Sequence, residues 1–375
     1  MTTKSICLAL FFTIATCFAT QAQNLKMYVS DAGNFNLPPW QILKFDVTGE
    51  NGQVFINQHL DWPQDIVFLE NDNEVLISNL NSGEIARFNS TTGAYIGSFA
   101  TGIGGPTRMK VGADGLLYVL QWEGNGKVWR YQLNGNFVDQ FTSTGVAASI
   151  GLDWDTTGNL YVSSYNGFVQ KFSPKGTDLG KFISTNLAGP TNIWFNAAGD
   201  LLVNDYNAGI VKRFDSNGVF KGNFITGVPQ CEGVNFLADG SILLGVGGTK
   251  SVRQYTPNGV IVKTLVPPGT LGLLTPNAVV LRNETTTAVT EPTHTDSETI
   301  LVTPSVGVQF QWTNSDLILH GAIAEVCNAS GVVVKKIRWA DSTSWDASDL
   351  PNGFYFIMIP LQDQTKLRQK ILVQH

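Results

Sequence analysis

The sequence predicts an all-β protein, a six-bladed β-propeller followed by a small C-terminal β-sandwich. Three observations predict it. The first is a period. One aromatic closes each middle hairpin, at Phe45, Phe88, Tyr131, Phe172, Phe214 and Tyr255, with successive spacings of 43, 43, 41, 42 and 41 residues. A repeat near forty made of short strands is propeller spacing, not that of a helical solenoid. The second is turn chemistry. In Gly199–Phe224, apolar runs of strand length are broken at Gly209 and Gly218, beside Asn or Asp. Those residues accept the positive φ of hairpin turns. The third is composition: 38 glycines and only 14 % charged residues among 375, as expected for short strands joined by tight turns.

The chain opens with a secretory signal over residues 1–22. Lys4 is its basic start, Ile6–Ala19 its apolar stretch and Thr20-Gln21-Ala22 its small-residue cleavage site. That apolar stretch is too short to span a bilayer, and the mature chain holds no candidate span. A lipoprotein signal at Cys17 is the alternative, but Thr16 before it fits that pattern poorly. The propeller occupies 23–283. Lys26–Asp31 has the pattern of a second strand, so the first unit lacks its own first strand. Pro276–Leu281 has the missing pattern and closes the ring, removing two exposed sheet edges.

Blade one takes Leu25 to about Gln58 plus that closing strand, with one loop enlarged over Gly33–Trp40. Blades two to six run over Leu60–Phe99, Ile103–Phe141, Val146–Phe182, Leu187–Phe224 and Val228–Leu265. Asn73 stands where other blades have Gly115, Gly158, Gly199 and Gly240, a substitution expected at positive φ. Residues 284–299, rich in Thr and free of aromatics, read as a solvated linker. Residues 300–375 lack the blade period but keep short alternating runs, as a separate sandwich would.

Net charge is −6, without the basic footprint of a nucleic-acid binder. Cys7 and Cys17 leave with the signal. Cys231 and Cys327 fall in different domains and read as part-buried thiols, neither a disulfide framework nor a metal site. A monomer is expected.

Propeller ligands bind where two loop sets meet at one mouth of the channel. The starts of first strands supply Gln64 and Asp65, Thr107 and Arg108, Thr191 and Asn192, Glu232 and Asn277. The ends of second strands supply Asp31, Asn79, Gln121 and Trp122, Ser164 and Tyr165, Asp205 and Tyr206. Trp122, Tyr165 and Tyr206 beside amides and carboxylates suit stacking on a sugar or gripping a peptide; packing between blades is the alternative. No Gly-x-Ser-x-Gly elbow, Cys–His pair or His-rich metal spacing is evident.

Two resemblances add to this. Gly105-Pro106-Thr107-Arg108-Met109, Gly115-Leu116-Leu117-Tyr118-Val119 and Gly126-Lys127-Val128-Trp129-Arg130-Tyr131 resemble repeats of six-bladed NHL and gluconolactonase-like propellers. The lactonase side of that resemblance implies a divalent ion such as Ca²⁺ in the channel, for which oxygen ligands are suited. Candidates are Asp31, Asp65, Asn192, Asp205 and Glu232, unless turn amides and water satisfy them. Gly104-Gly105-Pro106 is also similar to lyases of the virginiamycin-inactivating type, which rely on a histidine base; His59 is the propeller's single histidine.

Val302-Thr303-Pro304, Asn328–Val332, Leu350-Pro351-Asn352-Gly353-Phe354-Tyr355 and the ending Lys370–Gln374 resemble the C-terminal sorting domain of type IX (Por) secretion. Val306 departs from the second proline of that family's Pro-Asn-Pro start. This implies passage through the periplasm to the medium or outer surface, with the secretion machinery as partner. The expected function is a binding module for a protein, glycan or small extracellular ligand. The alternative is a metal-dependent hydrolase or lyase using the mouth carboxylates.

Overall fold

The structure is a computed structural model and describes residues 25–284, 302–303, 306–312, 323–328, 333–338, 344–360 and 366–375. The expected signal peptide, all of the expected linker except Glu284, and Pro304, Ser305 and 329–332 of the sorting resemblance lie outside these residues. The chain divides into two compact units, Met1–Thr285 and Thr286–His375.

The first unit contains six four-stranded antiparallel sheets, the blades of a propeller. Blade two shows the pattern: Pro63–Leu69 innermost, then Glu74–Asn79, Glu84–Asn89 and Tyr95–Ala100 outermost. In each blade the period aromatic pairs with an apolar residue of the second strand, as in Val75↔Phe88, Leu201↔Phe214 and Ile242↔Tyr255. All six aromatics are at most 3 % exposed, and each such burial stabilises by roughly 1.5–3 kcal/mol. The clusters they join bridge neighbouring blades: Met27, Val29, Leu43 and Phe45 of blade one pack with Leu243, Val252 and Leu265 of blade six. The repeat therefore buries faces between blades, which no single blade accomplishes alone. Asn73 sits at φ 55°, with Gly115, Gly158, Gly199 and Gly240 at 76–83°, so one left-handed turn position is met by Asn in one blade and Gly in four.

Pro276–Asn283 pairs antiparallel with Leu25–Asp31 and supplies the innermost strand of blade one. Its end is tied to blade two by Arg282, which donates to Glu70 at 2.8 Å and to the Ser90 carbonyl at 2.6 Å. Glu284 turns back onto blade one, where it meets Lys44 and Tyr28.

Every innermost strand carries an irregularity near its start. The ladder skips Gln64, Thr107–Arg108, Ile150–Gly151, Thr191–Asn192, Glu232–Gly233 and Asn277. A bulge of this kind bends the strand and re-aims side chains. The carbonyls beside it are taken by the neighbouring blade: Ser30 Oγ donates to the Pro63 carbonyl, Ser78 Oγ to Thr107, Ser163 Oγ to Thr191 and Asn204 Nδ2 to Glu232, at 2.5–2.9 Å. Gly151 is required here, since a Cβ at that position would lie 2.3 Å from the Thr191 carbonyl oxygen.

Among its described residues the second unit has a three-stranded and a five-stranded sheet. They share a core containing Phe310, Val326, Trp345, Tyr355, Ile357 and Ile371, with the Phe310 and Trp345 rings stacked at 5.0 Å. Gly353–Pro360 and Lys366–Val373 form its central hairpin. The Tyr355 hydroxyl donates to the Pro351 carbonyl at 3.0 Å and so fixes the turn into that hairpin. Cys231 and Cys327 are both buried free thiols.

Candidate functional site

The bulges direct their skipped residues toward the channel, and these form two levels. At the lower level Arg108 extends from blade three across the channel. Its Nε donates to Asn192 Oδ1 at 3.1 Å and its Nη2 to Glu232 Oε1 at 2.8 Å. The backbone carbonyls of Gln64 and Asn277 accept from the same guanidinium. One side chain thus joins blades one, two, three, five and six. Residues at the equivalent position in three other blades are Gly151, Gly233 and Ala278, none of which has a long side chain to compete with it for the channel. Arg108 is 4 % exposed and closes the channel at this level.

Glu232 and Asp65 are both buried beside it. Burial pushes the Glu232 carboxyl up to about 7, with the Arg108 charge opposing and the Asp65 charge adding. Burial likewise raises Asp65, opposed first by Arg108 and then by the N–H groups of Met109 and Ile66, which donate to its two oxygens at 2.8 and 2.9 Å. A single guanidinium thus faces two carboxyls in a poorly solvated place, so the second negative charge is costly.

Above Arg108 lies a pocket of about 380 Å³. Its floor is the upper level of skipped residues: Gln64, Ile150, Thr191, Glu232 and Asn277. Thr107, the sixth, turns aside and donates to the Ser149 carbonyl at 2.8 Å. The walls are aromatic. Trp122, Tyr165 and Tyr206 follow the second strands of blades three to five, with neighbouring rings 5.5 and 6.0 Å apart. Opposite them, Phe35 packs edge-on against Trp62 at 5.7 Å. Phe35 belongs to the enlarged loop of blade one, which brings it to the pocket and is braced internally by Trp40 Nε1 donating to the Phe35 carbonyl at 2.7 Å. Both Phe35 and Trp62 sit at φ 58°, a left-handed conformation in which bulky residues are strained. The position of Trp62, just before the innermost strand, is Gly105 in blade three.

The remaining candidates do other work. Asp31 is fully buried and accepts from the N–H groups of Thr275 (2.8 Å), Gly33 (3.0 Å) and Leu274 (3.2 Å) and from Gln41 Nε2 (3.1 Å). Burial raises its pKa and these donors oppose the rise. Asp205, also fully buried, accepts from Gly189 N–H at 2.8 Å, Ala188 N–H at 3.0 Å and Lys212 Nζ at 2.7 Å. Asn79 does the same for Asp61 N–H at 3.0 Å. Gln121 and Ser164, at the same position, bond Gly104 and Ala147. In five of the six blades the last residue of the second strand therefore ties down the loop that precedes the innermost strand of its own blade; blade six has Val246 there.

The five metal candidates accordingly do not converge. Asp31 and Asp205 spend their oxygens on loop amides, and Asp65, Asn192 and Glu232 surround a guanidinium where an ion would sit. Among the described residues no group of three His, Cys, Asp or Glu is placed to hold a metal, and this donor set does not fit one. His59 lies outside the pocket, exposed and stacked on Tyr95 at 3.8 Å. Phe35, Trp62, Leu80 and Ile150 are pocket residues that sequence reasoning did not single out; the available signals were the enlarged loop and the left-handed residue that precedes the innermost strand in four blades, Trp62, Gly105, Ala148 and Gln230.

No family model matches the chain, and no curated protein matches it. Solved structures do. A chain of the nidogen/laminin complex matches with a TM-score of 0.57 at 15 % identity, over 68 % of this chain and 98 % of that one. A protein of unknown function from Bacteroides caccae matches with a TM-score of 0.56 at 14 % identity, over 70 % of this chain and all of the other. A gluconolactonase-like protein matches at 18 % identity with a TM-score of 0.47, over 56 % of this chain and 79 % of that one. At these identities the first two likenesses show the fold.

Proposed function

We propose that the propeller is a binding module that takes its ligand in the aromatic pocket above Arg108. The observation that carries this reading is the pairing of strained aromatic walls with a floor whose one charged side chain, Glu232, is already bonded to Arg108. Backbone strain at Phe35 and Trp62 persists only where the surroundings impose it, and such residues cluster at ligand sites. The volume falls in the range of small-ligand pockets, roughly 300–1,000 Å³. A glycan end, a peptide side chain or a small molecule fits that space. We further propose export through residues 300–375 by type IX secretion, with the ligand met in the medium or at the outer surface.

The experiment is a thermal-shift and calorimetric screen of the full chain against glycans, peptides and small metabolites, with Trp122→Ala and Tyr206→Ala as controls. The reading expects at least one ligand whose binding falls tenfold or more in both variants. Stoichiometric Ca²⁺ in the purified protein together with turnover of a lactone panel overturns it in favour of a metal-dependent hydrolase. For export, deletion of 300–375 is expected to leave the propeller in the periplasm; unchanged export rejects that part.

A further inference from the structure

Resting on that reading, we infer that the pocket takes a neutral sugar ring, the terminal residue of a glycan. The argument begins with charge. Among the residues lining the pocket Glu232 alone is charged, and its Oε1 accepts from Arg108 beneath it. The guanidinium is in turn committed to four acceptors. An anionic ligand would meet a carboxylate with no spare cation near it. A cationic ligand would meet a carboxylate already neutralised. The chemistry left is that of a neutral molecule with hydroxyl groups.

The polar atoms agree. Asn277 is 2 % exposed, and its amide oxygen has no partner within the protein. The Trp62 indole N–H, on the same pocket, is also buried without an acceptor. Both atoms are closed from solvent, so a ligand hydroxyl reaches either one only after a small side-chain rotation; Asn277 then needs a donor and the indole an acceptor, and a hydroxyl serves as either. Buried polar groups of this kind are normally bonded, so each unpaired one calls for an explanation. The walls complete the match. A pyranose has an apolar face of C–H groups, and Trp122, Tyr165 and Tyr206 offer a contiguous aromatic arc on which such a face can lie. A peptide strand would need a run of backbone partners; the floor instead offers isolated side chains beneath a closed-off channel.

The test uses the full chain. Tryptophan fluorescence and calorimetry are read against methyl glycosides of neutral hexoses and pentoses and their α- and β-linked disaccharides. Methyl glucuronide and choline serve as charged counterparts. The expected result is saturable binding of at least one neutral saccharide, tenfold or more tighter than its glucuronide. That binding should weaken at least tenfold in Trp122→Ala and in Asn277→Leu, and less than threefold in Tyr206→Phe, which keeps the ring. Urea midpoints confirm that the variants fold, and Tyr206→Phe keeps the test informative if Asn277→Leu does not. Absence of saturable binding by any neutral saccharide overturns the inference, as does tighter binding of glucuronide or choline. A peptide ligand that is lost in Trp122→Ala also overturns it while leaving the binding-module reading intact. If no ligand of any class depends on Trp122 or Tyr206, both fall.

Discussion

The last residues of the second strands and the skipped residues of the innermost strands lie at the same end of the propeller and carry the same chemistry, carboxylates and amides. They differ in what surrounds them. Asp31, Asn79 and Asp205 face loop N–H groups of their own blade and spend their oxygens there. Gln64, Glu232 and Asn277 stand where the ladder is interrupted, so their side chains project into the channel and line the pocket. The same residue types are thus fasteners in one row and site residues in the next. What separates them is ladder register: a residue freed from pairing by a bulge is available to a ligand, and one that ends a paired strand is claimed by the nearest turn.

The largest effect should come from Arg108, which serves neither row alone but spans the channel. Arg108→Met leaves Glu232 buried without its cation and three further acceptors without a donor. Breaking a buried pair in this way costs about 3–5 kcal/mol, expected as a matching loss in urea denaturation. If the loss is under about 1 kcal/mol, Arg108 is not the channel's cross-strut. In the double variant Arg108→Met/Glu232→Gln the two losses should not add, because the second change removes the charge that the first exposed.

A second effect follows from Glu232 and separates it from the fasteners by pH. The unfolded chain ionises this group near 4.5, the folded protein near 7. Below pH 4.5 both states hold the proton and its contribution to stability is intact. Between 4.5 and 7 the unfolded chain releases its proton first, so stability falls as pH rises, and above 7 the loss is complete at about 3 kcal/mol. Asp65, raised in the same direction, steepens the acidic part of that fall. Melting temperature measured from pH 4.5 to 8 should therefore decline more in the wild type than in Glu232→Gln. Equal declines would mean that the Arg108 charge holds Glu232 ionised throughout.

The third effect tests the fasteners. Asp31→Ala strands the N–H groups of Leu274 and Thr275 at the point where the ring closes, at a cost of about 2–3 kcal/mol. It should leave ligand affinity within twofold by calorimetry. A tenfold loss of affinity with unchanged stability would move Asp31 from the fastener row to the site row.

The contrast also explains what was legible beforehand. The period of the buried aromatics and the Gly or Asn turn positions are local and repeated, so a count along the chain finds the blades, and the orphan strand pattern of Pro276–Leu281 finds the closure. The mouth residues were legible as a set, because both loop rows can be named from the repeat. Their division was not. Whether Asp205 meets Gly189 N–H or a ligand depends on one register step that its neighbours do not advertise. The reach of Arg108 to four other blades joins it to Gln64, Asn192, Glu232 and Asn277, residues about 40–170 apart along the chain. Phe35 enters the site through an insertion, which a repeat count treats as an interruption.

The smallest effect on stability is the sharpest test of the site row. Trp62 occupies a left-handed position that Gly105 fills in blade three. Trp62→Asn keeps a residue type that tolerates this backbone and so recovers part of a strain of about 1–3 kcal/mol. It also gives up the contact with Phe35 and part of the buried indole surface, a loss of similar size. The two nearly cancel, and the melting temperature should move little. Binding has no such compensation. The indole is one wall of the pocket, and its removal frees Phe35 and the loop that carries it, so affinity should fall at least tenfold. A variant that is both markedly less stable and unimpaired in binding would make Trp62 a packing residue and return its strain to the fold.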